Sequence, residues 1–130
     1  KYIGDEEPPI HDFFLESVDG EDFTDQVLMS DNVLLVVAYD ISKSDVEGFS
    51  KIKIITDEAL KNGYSVYLLS SSMNEEYEVI KNEFNLNFDL LFCDGTTLKT
   101  IIRANPGILT LQNGTVIGKW SWVDAEAIKF

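Results

Sequence analysis

A proline followed by two apolar segments that are joined by Asn-Gly is the feature that most restricts how this chain can fold. Pro106 precedes the apolar segment 108–112, and Asn113-Gly114 separates that segment from residues 115–120. Asn-Gly accepts the positive φ angles of a type I′ turn, so these residues predict a β-hairpin over 108–120. Proline has no N–H to give to a sheet ladder, so it fits the start of a strand and not its middle.

Strand-like and helix-like segments alternate along the rest of the chain. Residues 32–40 are a continuous aliphatic run, which is typical of a central strand buried on both faces. An N-terminal hairpin is predicted from residues 11–16 and the returning pair Asp22-Phe23. Further strands are predicted at 64–69 and 88–93, and helices at 24–29 (capped by Thr24), from Ser44 to a terminating Gly63, at 74–84, from Thr96, and from Asp124 to Phe130.

This order of elements resembles the thioredoxin-like fold in its peroxiredoxin-like form, with an N-terminal hairpin and an extra strand-helix unit before the proline. The resemblance implies an α/β three-layer sandwich with a central mixed sheet and helices on both faces. It also implies that Asn105-Pro106 is a cis bond that faces the active site. We expect a linker at residues 1–9 and a single thioredoxin-like domain over 10–130.

The reactive group of such oxidoreductases is missing from this chain. They carry Cys-x-x-Cys where the first long strand meets the next helix, because the helix N-terminus lowers the thiol pKa. Residues 41–47 occupy that turn here, with Ser42 and Ser44 and no cysteine nearby. A hydroxyl without an adjacent base is not activated at neutral pH, so we expect no dithiol oxidoreductase activity.

Cys93 is the only candidate nucleophile of the chain. It ends a predicted strand just before a helix, and the alternative hypothesis is a single-cysteine redox protein or sensor with an accessible sulfur and a depressed pKa. The neighbouring Asp94 and the usual burial of free cysteine favour a structural role. One histidine, His11, and one distant cysteine do not match zinc-ligand spacing, so we expect no metal or other cofactor.

Charge and hydropathy restrict the partners of the chain. A net charge of −13 argues against nucleic acid or an anionic membrane surface as a direct partner. No apolar run reaches the roughly 20 residues of a membrane span, so we expect no direct insertion of this domain into a bilayer. The chain starts at Lys1 with an acidic segment containing Pro8-Pro9, which predicts a linker within a longer protein.

A closer resemblance covers most of the chain. Residues 92–107 with 118–122, together with 8–13 and 35–40, are similar to the C-terminal thioredoxin-like domain found behind DoxX-type integral membrane domains in bacteria. The most specific part is Thr-Leu-Lys-Thr-Ile, followed shortly by Asn-Pro-Gly. The resemblance implies association with the cell membrane through a missing N-terminal region, and a link to thiol or oxidative-stress homeostasis.

We therefore expect a non-catalytic binding or regulatory domain. In active relatives the cis-proline loop holds an extended polypeptide by strand-like pairing, and a domain without the thiols could still hold one there. The expected partner is a protein or peptide segment, or the membrane domain of the same protein. The expected contact surface consists of Tyr39, Ile41, Ser42, Ser44, Asn105, Pro106 and Gly107.

Overall fold

The computed structural model describes residues 15–41, 46–72, 74–94, 98, 106–113 and 115–128. In chain order the elements are β1 (Glu16–Ser17), α1 (Thr24–Leu28), β2 (Val33–Val37), α2 (Val46–Lys61), β3 (Ser65–Ser70), α3 (Asn74–Phe84), β4 (Asp89–Phe92), β5 (Gly107–Gln112), β6 (Thr115–Ser121) and a 3₁₀ helix (Trp122–Ala127).

The six described strands form one mixed sheet in the order β1-β4-β3-β2-β5-β6. Strands β2, β3 and β4 run parallel to one another, whereas β1 runs antiparallel to β4, β5 antiparallel to β2 and β6 antiparallel to β5. Leu35 at the centre of β2 lies opposite Tyr67 on one side and Leu109 on the other. The predicted α/β architecture with a central mixed sheet is confirmed.

Both faces of β2 are covered, because its side chains alternate between two cores. Leu34 and Val36 belong to a cluster that includes Phe49 of α2, which we call the α2-side core. Leu35 and Val37 belong to a second cluster on the opposite face, which includes Val27 of α1 and which we call the α1-side core. All five β2 side chains are fully buried, and each contributes about 1.5–3 kcal/mol relative to exposure. A helix on each side of the sheet gives the three layers.

Helix α2 ends as its sequence predicts. Gly63 adopts φ +84°, which a glycine takes without steric cost. The N–H of Tyr64 donates to the carbonyl of Ala59 at 3.0 Å and that of Gly63 to Leu60 at 3.2 Å, which is the Schellman pattern.

The C-terminal hairpin is confirmed as β5 and β6. Asn113 has φ +51° at the turn, and Gly114 lies outside the described residues. The strands shift register between Thr110 and Leu111, as at a β-bulge. On β6 the ring of Trp120 lies over Gly118, where an added Cβ would come within 2.1 Å of Cη2 of the indole.

Two predicted helix ends are wrong. Phe23, not Thr24, precedes the first turn of α1, because the Thr24 hydroxyl instead accepts a 2.9 Å hydrogen bond from the N–H of Leu15. The chain leaves the helical conformation before Phe130: the 3₁₀ helix Trp122–Ala127 is followed by an extended Ile128. Ile128 is buried against the α2-side core, so tertiary packing ends the helix there.

The N-terminal hairpin is short. Glu16 pairs with Asp22, and the N–H of Ser17 donates to the carbonyl of Glu21 at 2.8 Å. Several predicted features lie outside the described residues: the linker 1–9, the start of the hairpin at 11–14, the Ser44 cap, the Thr96 cap and the Asn105-Pro106 bond. Leu98 alone of its predicted helix is described, and its N–H donates to the carbonyl of Asp94 at 3.1 Å, as in a helical turn.

Candidate functional site

The first turns of α2 lie directly against Pro106. A Cβ added to Gly48 would come within 3.3 Å of Cδ of Pro106 and within 2.9 Å of Cγ of Trp122. The N–H of Trp122 donates to the carbonyl of Pro106 at 3.3 Å, which fixes the 3₁₀ helix to the same point. The two regions that the sequence predicts to face each other, the start of α2 and the proline before the hairpin, are therefore in contact.

Gly48 is a contact residue that the sequence analysis does not identify. It is buried, and only a residue without a side chain lets α2 approach Trp122 and Pro106 this closely. Glycine inside an amphipathic helix lowers helix stability by about 1 kcal/mol relative to alanine, so its presence indicates a packing requirement. A glycine within a helical pattern can be recognised in the sequence. The sequence does not show that Gly48 contacts Trp122 and Pro106.

The connection that leaves β2 is held by the turn after β3. The backbone N–H of Ile41 donates to Oγ of Ser72 at 2.8 Å. The hydroxyl of Ser71 donates to the carbonyl of Tyr39 at 2.6 Å. The sequence predicts a turn at Ser70–Ser72, but not that two of its hydroxyls position the neighbouring connection.

The structure places four members of the expected contact surface. Tyr39 is half-buried beside the α1-side core, whereas Ile41 is 7% exposed and belongs to the α2-side core. Pro106 and Gly107 are buried, and Gly107 lies between Val37 and Ser121 in the sheet. Among the described members, Tyr39 therefore offers the accessible side-chain area, while Ser42, Ser44 and Asn105 lie outside the described residues.

Cys93 lies in the α1-side core and not on the surface. Its side chain is 2% exposed, and its backbone N–H donates to the carbonyl of Ser70 at 2.9 Å. Burial raises the pKa of the Cys93 thiol to about 11; a hydrogen bond with the backbone of Asp94 acts against this rise, and the negative charge of Asp94 adds to it. The single-cysteine hypothesis requires an accessible thiol of depressed pKa, and the structure shows the opposite on both counts.

The described part of the chain holds no group of three or more His, Cys, Asp or Glu side chains that could bind a metal ion. His11 lies outside that part. No helix within the described ranges combines the length and the apolar character that crossing a bilayer needs.

Known proteins resemble this chain in three-dimensional structure. No protein-family model and no curated protein matches the chain. A thiol-disulfide oxidoreductase from Bacteroides fragilis superposes with a TM-score of 0.66 at 15% identity, over 94% of each chain. A conserved protein of unknown function from the same species gives 0.62 at 20% identity, over 91% of this chain and 93% of that one.

A third solved structure is the bacterioferritin comigratory protein of Xanthomonas campestris, studied for its alkyl peroxide reduction activity. It gives a TM-score of 0.60 at 13% identity, over 89% of this chain and 87% of that one. At these identities the likeness is one of fold. The protein is an α/β protein with a thioredoxin-like fold, and its structural neighbours include redox proteins.

Proposed function

We propose that this chain is a non-catalytic thioredoxin-like binding or regulatory domain of a bacterial membrane protein. One observation carries the proposal: Gly48, near the start of α2, lies against Pro106 as at the active site of this fold, but no cysteine lies in the turn that precedes α2. That turn contains Ser42 and Ser44, and the single cysteine of the chain, Cys93, is buried with a raised pKa. The chain thus retains the fold's proline and helix start without a dithiol.

The proposed ligand is an extended segment of a partner protein or of the membrane domain itself. Strand-like pairing beside the proline needs backbone groups and a neighbouring side chain, and it does not need a thiol. Tyr39 is the described residue best suited to contact such a segment, because its aromatic ring is only partly covered. Ser42, Ser44 and Asn105 to Gly107 complete the proposed surface.

The proposed attachment to a membrane protein is supported by the resemblance to domains behind DoxX-type membrane domains. The test is to sequence the gene upstream of the codon for Lys1. Several hydrophobic spans upstream are expected, and a gene product without any would contradict the tether while leaving the binding proposal open to the experiments below.

Absence of dithiol chemistry is tested by insulin reduction with dithiothreitol as electron donor. The isolated domain is expected to give the background rate, with a thioredoxin as positive control. Turnover above background that persists in Cys93→Ala would overturn the proposal. Turnover abolished by that substitution would revive the single-cysteine alternative.

Binding at the proposed surface around Tyr39 and Pro106 is tested by affinity capture from extracts of the source bacterium. Tyr39→Ala and Ser42→Arg are expected to abolish capture of the partner that the unsubstituted domain retains. Asn62→Arg is the matched control, because it adds the same charge at an exposed position just past the opposite end of α2. Capture that survives both substitutions would place the contact elsewhere on the domain. Urea unfolding verifies that each variant is folded.

A further inference from the structure

A groove of about 270 Å³ opens where β1 and β4 meet the start of α3, and we call it the edge groove. One part of its lining is apolar, from Val18, Leu90 and Phe92. Another part is acidic, from Glu16 of β1 and Glu75 of α3. The lining of the edge groove does not include Tyr39 or Pro106, although Ser72, which also lines it, accepts the hydrogen bond from the N–H of Ile41.

The apolar part of the edge groove is open to solvent. Leu90 is 4% exposed, but Val18 is 59% exposed and Phe92 is 46% exposed. Two of the large hydrophobic side chains that the described structure leaves in water thus lie beside one concave surface. An aliphatic chain laid along them would remove apolar area from water, which is favourable in proportion to that area.

The charges around the edge groove select a cation. Glu16 and Glu75 both line it, and no Lys or Arg is among its described lining residues. The N-terminus of α3 offsets part of this negative charge, because a helix N-terminus acts as roughly half a positive charge. Two carboxylates outweigh that half charge, and the net charge of −13 adds a long-range attraction for cations.

The edge groove has room for a single long side chain. Its volume of about 270 Å³ lies below the roughly 300–1,000 Å³ of pockets for drug-sized ligands. An arginine side chain has an aliphatic stem for Val18 and Leu90, and a planar head that stacks on an aromatic ring and pairs with carboxylates. We propose that the edge groove binds an arginine side chain presented by a segment of a partner protein.

The test uses the 130-residue domain and N-acetyl-arginine-methylamide in an NMR titration. The expected result is saturable shifts of the Ser17, Val18, Glu75 and Phe92 amides, with a Kd on the order of 1 mM for a ligand of this size. The citrulline analogue, in which a neutral urea replaces the guanidinium, is expected to bind much more weakly. Equal binding of the two compounds, binding of N-acetyl-glutamate instead, or no saturable shift would overturn the proposal.

Variants locate the binding within the groove. Glu16→Gln and Glu75→Gln are each expected to weaken binding about 2- to 5-fold, as for the loss of a partly exposed ion pair. Glu78→Gln, at an exposed position of the same helix outside the groove, is the matched control and should leave the Kd unchanged. An equal effect of all three would reduce the observation to general charge attraction. Self-association of the free domain that Glu75→Gln removes would assign the groove to a second copy and overturn the proposal.

Discussion

The backbone N–H of Ile41 donates a 2.8 Å hydrogen bond to Oγ of Ser72, 31 positions further along the chain. Both residues are buried, at 7% and 8% exposure, so water does not readily replace the bond. The bond joins the residue after β2 to the turn after β3, at the end of the sheet where α2 begins. The position of the connection that leads into α2 therefore depends on a turn two elements later.

Ser72→Ala is expected to destabilise the domain by about 1–3 kcal/mol, because it leaves the buried N–H of Ile41 without an acceptor. Urea unfolding followed by far-UV circular dichroism measures the loss. Ser50→Ala, at an exposed position of α2, is the control and should change stability by less than about 0.5 kcal/mol. Equal stabilities of the two variants would show that the Ile41 N–H finds another acceptor.

Gly48→Ala is expected to destabilise the domain although alanine is the better helix former. The new Cβ would lie 2.9 Å from Cγ of Trp122, so the indole or α2 must move. Overpacking costs about 1–3 kcal/mol and the gain in helix propensity is about 1 kcal/mol, so a net loss of up to about 2 kcal/mol is expected. Urea unfolding with tryptophan fluorescence reports both the stability and the shift of Trp122. A variant of increased stability would show that Trp122 repacks without cost, and Glu58→Ala on the exposed face of α2 is the control.

Cys93 is expected to react slowly with a thiol reagent in the folded domain. Its sulfur must be exposed by opening of the core, and an opening cost of about 3 kcal/mol slows the reaction about 100-fold relative to denatured protein. Reaction with 5,5′-dithiobis(2-nitrobenzoate) at pH 8, with and without 8 M urea, compares the two states. Similar rates would mean an accessible thiol and would restore the single-cysteine hypothesis.

The raised pKa of Cys93 predicts a loss of stability in alkali. The thiol titrates near 9.0 when unfolded and near 11 when folded, so between these values the unfolded state binds fewer protons. The free energy of unfolding therefore falls as pH rises from 9 to 11, and this contribution is constant below 9. Other groups also titrate between pH 9 and 11. The difference in stability between the unsubstituted domain and Cys93→Ala isolates the contribution of Cys93 from theirs. A difference that stays constant between pH 8 and 10.5 would contradict the raised pKa.

Tyr77→Phe is expected to cost about 1–2 kcal/mol, since it removes the hydroxyl that donates to the carbonyl of Phe88 at 2.6 Å. Tyr77 is 1% exposed, and burial raises the pKa of its phenol, so the hydroxyl keeps its proton and the bond into more alkaline solution than an exposed tyrosine would. Thermal unfolding compares it with Tyr67→Phe, a half-buried tyrosine whose edge contact with Phe23 survives the change. A Tyr77→Phe variant as stable as the control would mean that the carbonyl of Phe88 is satisfied in another way.

Elements with strong periodicity and clear end signals could be predicted from the sequence. Helix α3 has both predicted bounds, and α2 ends at Gly63 because a glycine at that point closes a Schellman motif. The hairpin was predictable because Asn-Gly defines its turn locally. The C-terminal helix was mispredicted, because the extended Ile128 is held by a core to which distant residues contribute.

The candidate site was only partly predictable for the same physical reason. The proline and the serine turn carry local signals, so the sequence indicates both. Whether a predicted contact residue such as Ile41 faces solvent depends on packing against α2, and the structure buries it. Gly48 and the edge groove depend on which elements lie side by side, which short-range patterns do not encode.

The burial of Cys93 also bears on where such a domain can work. A thiol that is 2% exposed and has a pKa raised to about 11 reacts slowly with oxidants and disulfides, because these react with an accessible thiolate. The state of this thiol then depends little on the redox potential around the folded domain. A domain of this kind keeps the same thiol chemistry in a reducing and in an oxidising compartment.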